Sequence, residues 1–182
     1  MSARRGAALL EGFAPIAGTD ARLLILGSMP GAASLAATHY YAHPRNAFWA
    51  VIEAVWDVPR SLPYDARTRA MKAQGIALWD VVAKCRRLTS LDADIDAASV
   101  VVNDFARFLG GHRRIRQIAF NGAGAETLYR RHVLPGLPQS LQQIARLRMP
   151  STSPAHASLT LEAKIGAWKA LRRYTDPTGH GQ

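Results

Sequence analysis

The sequence predicts an α/β fold, a three-layer α/β/α sandwich whose central sheet has four mainly parallel strands. Short apolar segments with the length of buried strands alternate along the chain with segments in which apolar residues recur at helical spacing. Parallel strands need crossover connections, and helices in those connections cover both faces of the sheet. At 182 residues the chain suits one domain. We therefore expect a single domain over 1–182, with frayed ends at about 1–8 and 176–182.

The strands are predicted from four short apolar runs. The first, Leu23-Leu24-Ile25-Leu26, has no polar residue, as expected for a strand covered on both faces. Three further short segments are rich in apolar residues. The predicted strands are residues 22–27, 76–82, 115–120 and 144–149.

The helices are predicted from apolar residues at positions i, i+1, i+4, i+7 and i+8. This spacing begins at Phe48 and again at Val101, where the pair Gly110-Gly111 supplies a stop signal. Leu161 begins a last apolar stripe, and the pattern before Gln74 is the weakest. The predicted helices are residues 48–56, 65–74, 101–109, 123–132 and 161–171.

The charge of the chain indicates a polyanionic partner. Its 23 Lys and Arg residues against 13 Asp and Glu give a net charge of +10, and each contact with a phosphate releases condensed counterions. An arginine-rich composition also arises from coding bias, so charge alone does not settle the partner. No run of eighteen apolar residues and no secretory signal is present, which favours a cytoplasmic protein without a membrane partner.

Cysteine and histidine residues exclude some kinds of site. Cys85 is the only cysteine, which rules out an internal disulfide and a four-cysteine metal site, and we expect it to be buried and inert. His39 and His43 have no third ligand nearby in the sequence. We therefore expect no metal and no cofactor.

The segment 27–49 is the richest in residues that could carry chemistry. The loop Gly27-Ser28-Met29-Pro30-Gly31 follows the first strand, and a loop at the carboxyl end of a sheet strand is where α/β proteins place their sites. Its spacing fits neither a phosphate-binding loop nor a dinucleotide-binding motif. Asn46 could cap the helix 48–56, or position a water or a base edge. Tyr40 and Tyr41 could be core aromatics or could stack on a nucleobase.

Polar residues also follow the other predicted strands. Asp80 could cap the next segment or face the same crevice as the first loop, and Asn121 is expected to be a turn residue. The loop 149–156 could be a turn before a helix capped at Ser158, or could bind a phosphate backbone through hydroxyls and amides. Four strand-end loops meeting at one edge predict a joint site.

Taken together, two segments resemble the uracil-DNA glycosylase superfamily. They are the loop 27–31 and the run Tyr41-Ala42-His43-Pro44-Arg45-Asn46-Ala47-Phe48-Trp49. The similarity is greatest to the mismatch-specific uracil/thymine-DNA glycosylases and to the hypoxanthine (deoxyinosine) DNA glycosylases. Leu78-Trp79-Asp80-Val81-Val82 resembles the family's second-strand segment, and Pro150-Ser151 resembles the motif that enters the minor groove. The resemblance spans about residues 20–170.

The resemblance implies a monofunctional DNA glycosylase of base-excision repair, which hydrolyses the N-glycosidic bond of a flipped, deaminated base. It implies double-stranded DNA with a deaminated or mismatched base as partner, and a monomer. Met29 stands where the mismatch-specific enzymes carry a water-positioning asparagine, which points to the hypoxanthine type with Asn46 as catalytic residue. The resemblance further implies base contacts from Tyr41, Met29, Ser28 and Asp80, with Asn121 as the alternative to Asp80, and DNA contacts from Pro150, Ser151, Thr152, Ser153 and Arg45.

Three rival functions stay open at this point. A mismatch-specific uracil-DNA glycosylase would share these motifs. A catalytically inactive DNA-binding relative would explain Met29, and predicts DNA binding without an abasic product. An unrelated phosphate-ligand enzyme would use only the glycine loop.

Overall fold

The computed structural model of the chain describes residues 7–177, and the elements within them are numbered in chain order. The strands are β1 (Leu9–Glu11), β2 (Leu23–Gly27), β3 (Ile76–Asp80), β4 (Val82–Arg86), β5 (Val101–Val102), β6 (Gln117–Asn121) and β7 (Ala145–Met149). The α-helices are α1 (Ala32–Ala37), α2 (Phe48–Trp56), α3 (Tyr64–Ala73), α4 (Phe105–Gly111), α5 (Ala123–His132), α6 (Gln139–Gln142), α7 (Leu161–Trp168) and α8 (Arg172–Thr175). Of the two ends that were predicted to fray, residues 1–6 and 178–182 lie outside the described part of the chain.

The central sheet has the strand order β3-β2-β6-β7, and each neighbouring pair is parallel. In its register Gly27 lies opposite Asp80, and Asn121 lies opposite Met149. The carboxyl ends of all four strands therefore meet at one edge. The four predicted strands are confirmed, and the sheet is wholly rather than mainly parallel.

Helices cover both faces of this sheet because successive side chains of a strand point to opposite faces. Leu23 and Ile25 of β2 pack into a core that includes residues of α2, α3 and α7. Leu24 and Leu26 pack into a second core with residues of α4 and α5. The three-layer α/β/α prediction is confirmed.

A second, antiparallel sheet of order β1-β4-β5 was not predicted. The predicted strand 76–82 ends at Asp80, and after Val81 the chain continues as β4 of this second sheet. The expected helix 101–109 is wrong at its start, because Val101 and Val102 pair with β4 as a strand. β-Branched residues favour such pairing. The helix begins at Phe105, after Asp104, whose side chain accepts a hydrogen bond from the backbone N–H of Arg107 at 3.0 Å.

The last helical segment begins at Leu161 as predicted, but its N-cap is not the predicted one. Its N-cap is Thr160, whose hydroxyl accepts from the backbone N–H of Ala163 at 3.2 Å, and not Ser158. One 3₁₀ turn, Lys169–Leu171, separates α7 from α8. Cys85 is buried as a free thiol. Among the described helices, none has the length and apolar character needed to cross a bilayer.

Candidate active site

A cavity of about 450 Å³ opens at the carboxyl edge of the parallel sheet. The segments that follow β2, β4 and β7 contribute to its lining, together with Asp80 and Asn121, the last residues of β3 and β6. Eight of the ten residues predicted for the site line it: Ser28, Met29, Tyr41, Asn46, Asp80, Ser151, Thr152 and Ser153. Pro150 and Arg45 do not line it. Arg45 is exposed to solvent, and the Pro150 carbonyl accepts a hydrogen bond from the Trp168 indole at 3.0 Å.

Asp80, at the end of β3, presents a buried carboxyl group to this cavity. Its side chain is 4% exposed, and among the described residues no group hydrogen-bonds its Oδ2. Burial, followed by the negative charge of Asp92, raises the pKa of Asp80 to about 7, although Arg87 opposes the rise. The carboxyl group is therefore partly protonated near neutral pH, and it can donate as well as accept a hydrogen bond.

Gly27 allows Asp80 to occupy this position. A Cβ at Gly27 would overlap Oδ1 of Asp80 and would lie 3.0 Å from the Tyr41 hydroxyl. The glycine is thus needed for close packing of two polar groups against the end of β2.

Tyr41 brings an aromatic ring and a buried hydroxyl to the cavity. Its backbone is in the left-handed region, with φ of 55°, and its ring stacks on Phe48 with centroids 3.9 Å apart. Because Phe48 covers one face, only the other face of Tyr41 can stack on a ligand. The hydroxyl lies near the Asn121 amide without a well-aligned hydrogen bond to any described residue. Burial and the nearby Asp80 carboxyl raise the pKa of Tyr41, so its hydroxyl stays protonated.

Asn46 lies one residue before Ala47, the N-cap of α2, and it both bonds to the first residue of that helix and lines the cavity. Its Oδ1 accepts a hydrogen bond from the backbone N–H of Phe48 at 3.0 Å. This bond engages the oxygen of the amide and fixes the orientation of the side chain. The NH₂ group takes no part in the bond and can donate to a ligand. The two alternatives raised by the sequence are thus compatible in one side chain.

Met29 and Ser28 connect the first loop to the loop after β4. The Met29 side chain is buried against Val82, Cys85 and Ile95. The Ser28 hydroxyl donates to Oδ1 of Asp92 at 2.5 Å. Met29 is thus mainly a packing residue, and Ser28 positions a carboxylate.

Asp92 is a residue of the cavity that sequence reasoning missed. It lines the cavity beside Ser28, and a Cβ on Gly124 in the first turn of α5 would overlap its Oδ2. A carboxylate close to a helix N-terminus is favourably placed against the helix dipole. One feature of the sequence could have pointed to Asp92. It belongs to a short acidic run with Asp94 and Asp96, which is unusual in a chain with a net charge of +10.

Asn121 holds the loop that follows β7. Its Nδ2 donates to the Thr152 hydroxyl at 2.9 Å, and its Oδ1 accepts from the Thr152 backbone N–H at 2.9 Å. The Thr152 carbonyl in turn accepts from the backbone N–H of Ala47 at 2.9 Å. These bonds connect the β6, β7 and α2 sides of the cavity through Thr152.

The loop after β7 is also held from α7. The buried Lys164 donates through Nζ to the His156 carbonyl at 2.8 Å. Over residues 7–177, no group of three or more His, Cys, Asp or Glu side chains is placed to hold a metal ion.

Comparisons with known proteins identify the family and agree with the fold. The family model of the uracil DNA glycosylase superfamily matches residues 15–172. A hypoxanthine DNA glycosylase from Methanosarcina barkeri (strain Fusaro / DSM 804) is 32% identical over 113 residues, which cover 62% of this chain and 70% of the relative. One from Methanosarcina acetivorans is 31% identical over 116 residues, covering 63% and 72%. A solution NMR structure from Methanosarcina acetivorans, named as a candidate uracil DNA glycosylase, superposes with a TM-score of 0.73 at 27% identity and covers 92% of this chain and 99% of that one.

Proposed function

This chain belongs to the uracil DNA glycosylase superfamily and is a DNA glycosylase, and we propose that it excises hypoxanthine, the deaminated form of adenine, from DNA. The observation that carries the proposal is that Asp80 and Tyr41, each with a buried polar atom that lacks a hydrogen-bond partner among the described residues, line the same cavity as Asn46. Buried polar atoms without partners are costly unless a ligand completes them. The similarity to two hypoxanthine DNA glycosylases supports the choice of base.

The reaction begins with extrusion of the damaged nucleotide, because the bond to be broken is inaccessible within the base stack. The extruded base enters the cavity and stacks on the free face of Tyr41. Its polar edge then meets Asp80 and Asn46. With no carboxylate in the 27–31 loop, cleavage is largely dissociative, and the base departs with the bonding electrons while DNA phosphates stabilise the sugar cation. Water then adds to the cation and loses a proton, which the departing base anion can take up, and an abasic sugar remains.

Asp80 stabilises the departing base when its own carboxyl group is protonated and therefore neutral. An ionised Asp80 would repel the negative charge that develops on the departing base. The carboxyl group of Asp92, which lines the same cavity, would add to this repulsion. A protonated Asp80 instead donates a hydrogen bond to it. Hypoxanthine carries an exocyclic oxygen on which this negative charge is delocalised, whereas adenine carries an amino group there, so the donor favours the deaminated base.

Asn46 is the second donor to the departing base. Its oxygen is engaged by the Phe48 N–H, so its NH₂ group is presented in a fixed orientation. Donors that need no reorganisation during the reaction stabilise a developing charge most effectively. Asn46 is accordingly the proposed catalytic residue, and Asp80 and Tyr41 are the proposed base-binding residues, with Ser28 and Met29 supporting them.

The DNA is held by the loop Pro150, Ser151, Thr152 and Ser153, together with Arg45 on the neighbouring rim. The hydroxyls of Ser151 and Ser153 can donate to phosphate oxygens, whereas Thr152 is buried with its hydroxyl and N–H bonded to Asn121 and supports the loop. A net charge of +10 favours the duplex without selecting its sequence.

The proposal is tested with duplexes that carry a single hypoxanthine, uracil or xanthine, or only normal bases. After incubation with the protein, alkali converts each abasic site into a strand break. We expect breaks at hypoxanthine at the highest rate, with free base as the other product. Breaks at uracil alone would assign the mismatch-specific uracil activity instead, and salt-sensitive binding without breaks on any substrate would assign an inactive relative.

A further inference from the structure

The positive charge of the chain is not located in the cavity. Among the described residues that line the cavity there is no Lys or Arg, although two aspartates, Asp80 and Asp92, are present. The chain as a whole nevertheless carries a net charge of +10. The cations that attract a polyanion therefore lie elsewhere on the surface, and their positions indicate where a further contact forms.

The basic residues are concentrated in one stretch of the chain. Between residues 105 and 161 there are eight arginines and one acidic residue, Glu126. Glu126 pairs with Arg130 and Arg148, at N–O distances of 2.9 and 3.4 Å. Arg146 donates to main-chain carbonyls nearby. Among the described residues no carboxylate forms an ion pair with the other five arginines, which are Arg107, Arg113, Arg114, Arg116 and Arg131.

Topology places four of these five arginines at the amino edge of the parallel sheet, which is the edge opposite to the cavity. Arg113, Arg114 and Arg116 are exposed and lie in the connection that leads into β6. Arg131 is exposed in the last turn of α5, a helix that starts beside the carboxyl end of β6 and returns towards the amino edge. We call these four residues the amino-edge patch.

The turn that carries most of the patch is fixed to the domain. The backbone N–H of Ile115 donates to the His112 carbonyl at 3.0 Å, and that of Arg116 donates to the Arg22 carbonyl at 3.0 Å. The Ile115 side chain is buried in the same core as Val133, which follows α5. The neighbouring arginines are therefore presented on a rigid support, and a ligand that binds them orders little of the backbone.

The charge of the amino-edge patch is suited to phosphate. Basic residues in the last turn of α5 complement the helix dipole, but Arg114 and Arg116 lie outside the described helices and have no such role. Guanidinium groups bind phosphate oxygens with two parallel hydrogen bonds. Several unneutralised guanidinium groups on one edge are thus complementary to the phosphates of a nucleic acid strand.

A duplex seated over the cavity does not reach this patch. β2 has five residues, and at a rise of about 3.3 Å per residue the sheet alone separates its two edges by roughly 15 Å. The two edges also face in opposite directions. A single duplex would have to bend around the domain to contact both, which is costly because DNA is stiff over such short lengths. The ligand of the patch is therefore a separate segment.

We propose that the amino-edge patch binds a second segment of duplex DNA while the cavity faces the first. The inference goes beyond excision of a base and requires only that the chain acts on DNA, as its family does. Contacts with phosphates are independent of base sequence, so the second segment can be any duplex. A protein that holds two segments moves from one to the other without release into solution, which extends its search to sites remote along the DNA.

The test is the capture of one duplex by another. An undamaged duplex is fixed to beads at low salt, the protein is bound, excess protein is removed, and a fluorescent duplex of unrelated sequence is added. We expect the wild-type protein to retain the second duplex. At an equal amount of bound protein, Arg113→Gln/Arg114→Gln/Arg116→Gln should retain much less. The loss of three phosphate contacts should lower the slope of log affinity against log salt by up to about 3.

Two control variants separate the patch from the net charge. The corresponding triple lysine variant keeps the positive charges and should retain capture. Arg60→Gln/Arg69→Gln/Arg107→Gln removes the same charge from exposed arginines outside the patch, and should also retain it. Single-turnover excision from a short hypoxanthine duplex, and thermal unfolding, should be unchanged in the glutamine variant of the patch because that surface is remote from the cavity.

Several outcomes would overturn the inference. They are absence of capture by the wild-type protein, equal capture by the glutamine variant of the patch, and an equal loss in both glutamine variants. Capture of labelled polyglutamate but not of duplex would assign the patch to an acidic protein and would overturn it as well. Capture by a wild-type protein that releases no hypoxanthine would refute the proposed function and leave this inference supported, whereas excision without capture would do the reverse.

Discussion

The substitution Asp80→Asn separates the two protonation states of the carboxyl group at the cavity floor. Asn has nearly the same shape as a protonated Asp, donates and accepts hydrogen bonds, and does not titrate. If the neutral carboxyl group is the active form, the variant keeps substantial activity.

The expected magnitudes follow from the pKa of Asp80, which rises from 3.8 to about 7 in the folded protein. Wild-type activity should fall about tenfold per pH unit above pH 7, as the neutral form is depleted, whereas Asp80→Asn should show no such fall. For stability, the folded state binds more protons than the unfolded state between these two pKa values. The wild-type free energy of unfolding therefore falls as pH rises through that range. At about pH 8 the variant should be the more stable protein, by up to about 4 kcal/mol.

Two assays and one matched variant check this prediction. Single-turnover excision on the hypoxanthine duplex is measured from acid to alkaline pH, and urea unfolding is measured at the two ends of that range. Asp92→Asn removes a charge that raises the Asp80 pKa, and should move the midpoint of the activity fall to lower pH. The reasoning is refuted if wild-type activity rises through neutrality while Asp80→Asn is inactive, since the carboxylate would then be the working form.

Two further predictions concern Asn46 and Gly27. Asn46→Ala should abolish most excision with little change in duplex affinity, and should cost about 1 kcal/mol of stability through the lost hydrogen bond to the Phe48 N–H. Asn46→Ser keeps an acceptor for that N–H, and should lose excision with less destabilisation. An active Asn46→Ser would contradict the catalytic assignment. Gly27→Ala should displace Asp80, lower excision strongly and destabilise the protein by about 1–3 kcal/mol. Gly110→Ala, in α4 where a Cβ would meet nothing within 4 Å, should leave excision unchanged and should not lower the thermal unfolding temperature, because alanine is favoured over glycine in a helix. A Gly27→Ala variant that behaves like Gly110→Ala would show that the close packing at Gly27 is not required.

The parallel sheet could be predicted from the sequence mainly because β2, β3 and β6 are buried almost throughout and stand out as apolar runs, while the edge strand β7 is mostly exposed. The second sheet could not. β1 has only three residues, and β4 has just two buried residues, Val82 and Cys85, among partly exposed ones that include Lys84 and Arg86. Val101 and Val102 fitted the helical spacing as well as Phe105 did, and only pairing with β4, remote in sequence, decides their conformation.

The meeting of the strand-end residues at one site could be predicted from topology. Parallel strands bring their carboxyl ends to the same edge of a sheet wherever the intervening helices lie. Asp92 could not be found in this way. Its position depends on the path between β4 and β5, a connection without periodicity that is fixed by individual hydrogen bonds such as that from Ser28. The sequence also could not predict that Asn46 both bonds to the start of α2 and lines the cavity. A polar residue before a helix suggests the first contact but does not indicate what else the side chain faces.

The hydrogen bonds that join the loops have a consequence for how binding energy is distributed. Ser28 holds Asp92, Ser90 holds the start of α1, and Asn121 holds Thr152. A cavity assembled from separate strand-end loops thereby behaves as one rigid receptor, so little conformational entropy is lost when a base enters. The favourable free energy of binding between this basic protein and DNA can then offset the cost of bending and opening the duplex. Recognition of damage in such a protein would depend on how readily each base pair deforms, and the receptor itself would stay unchanged.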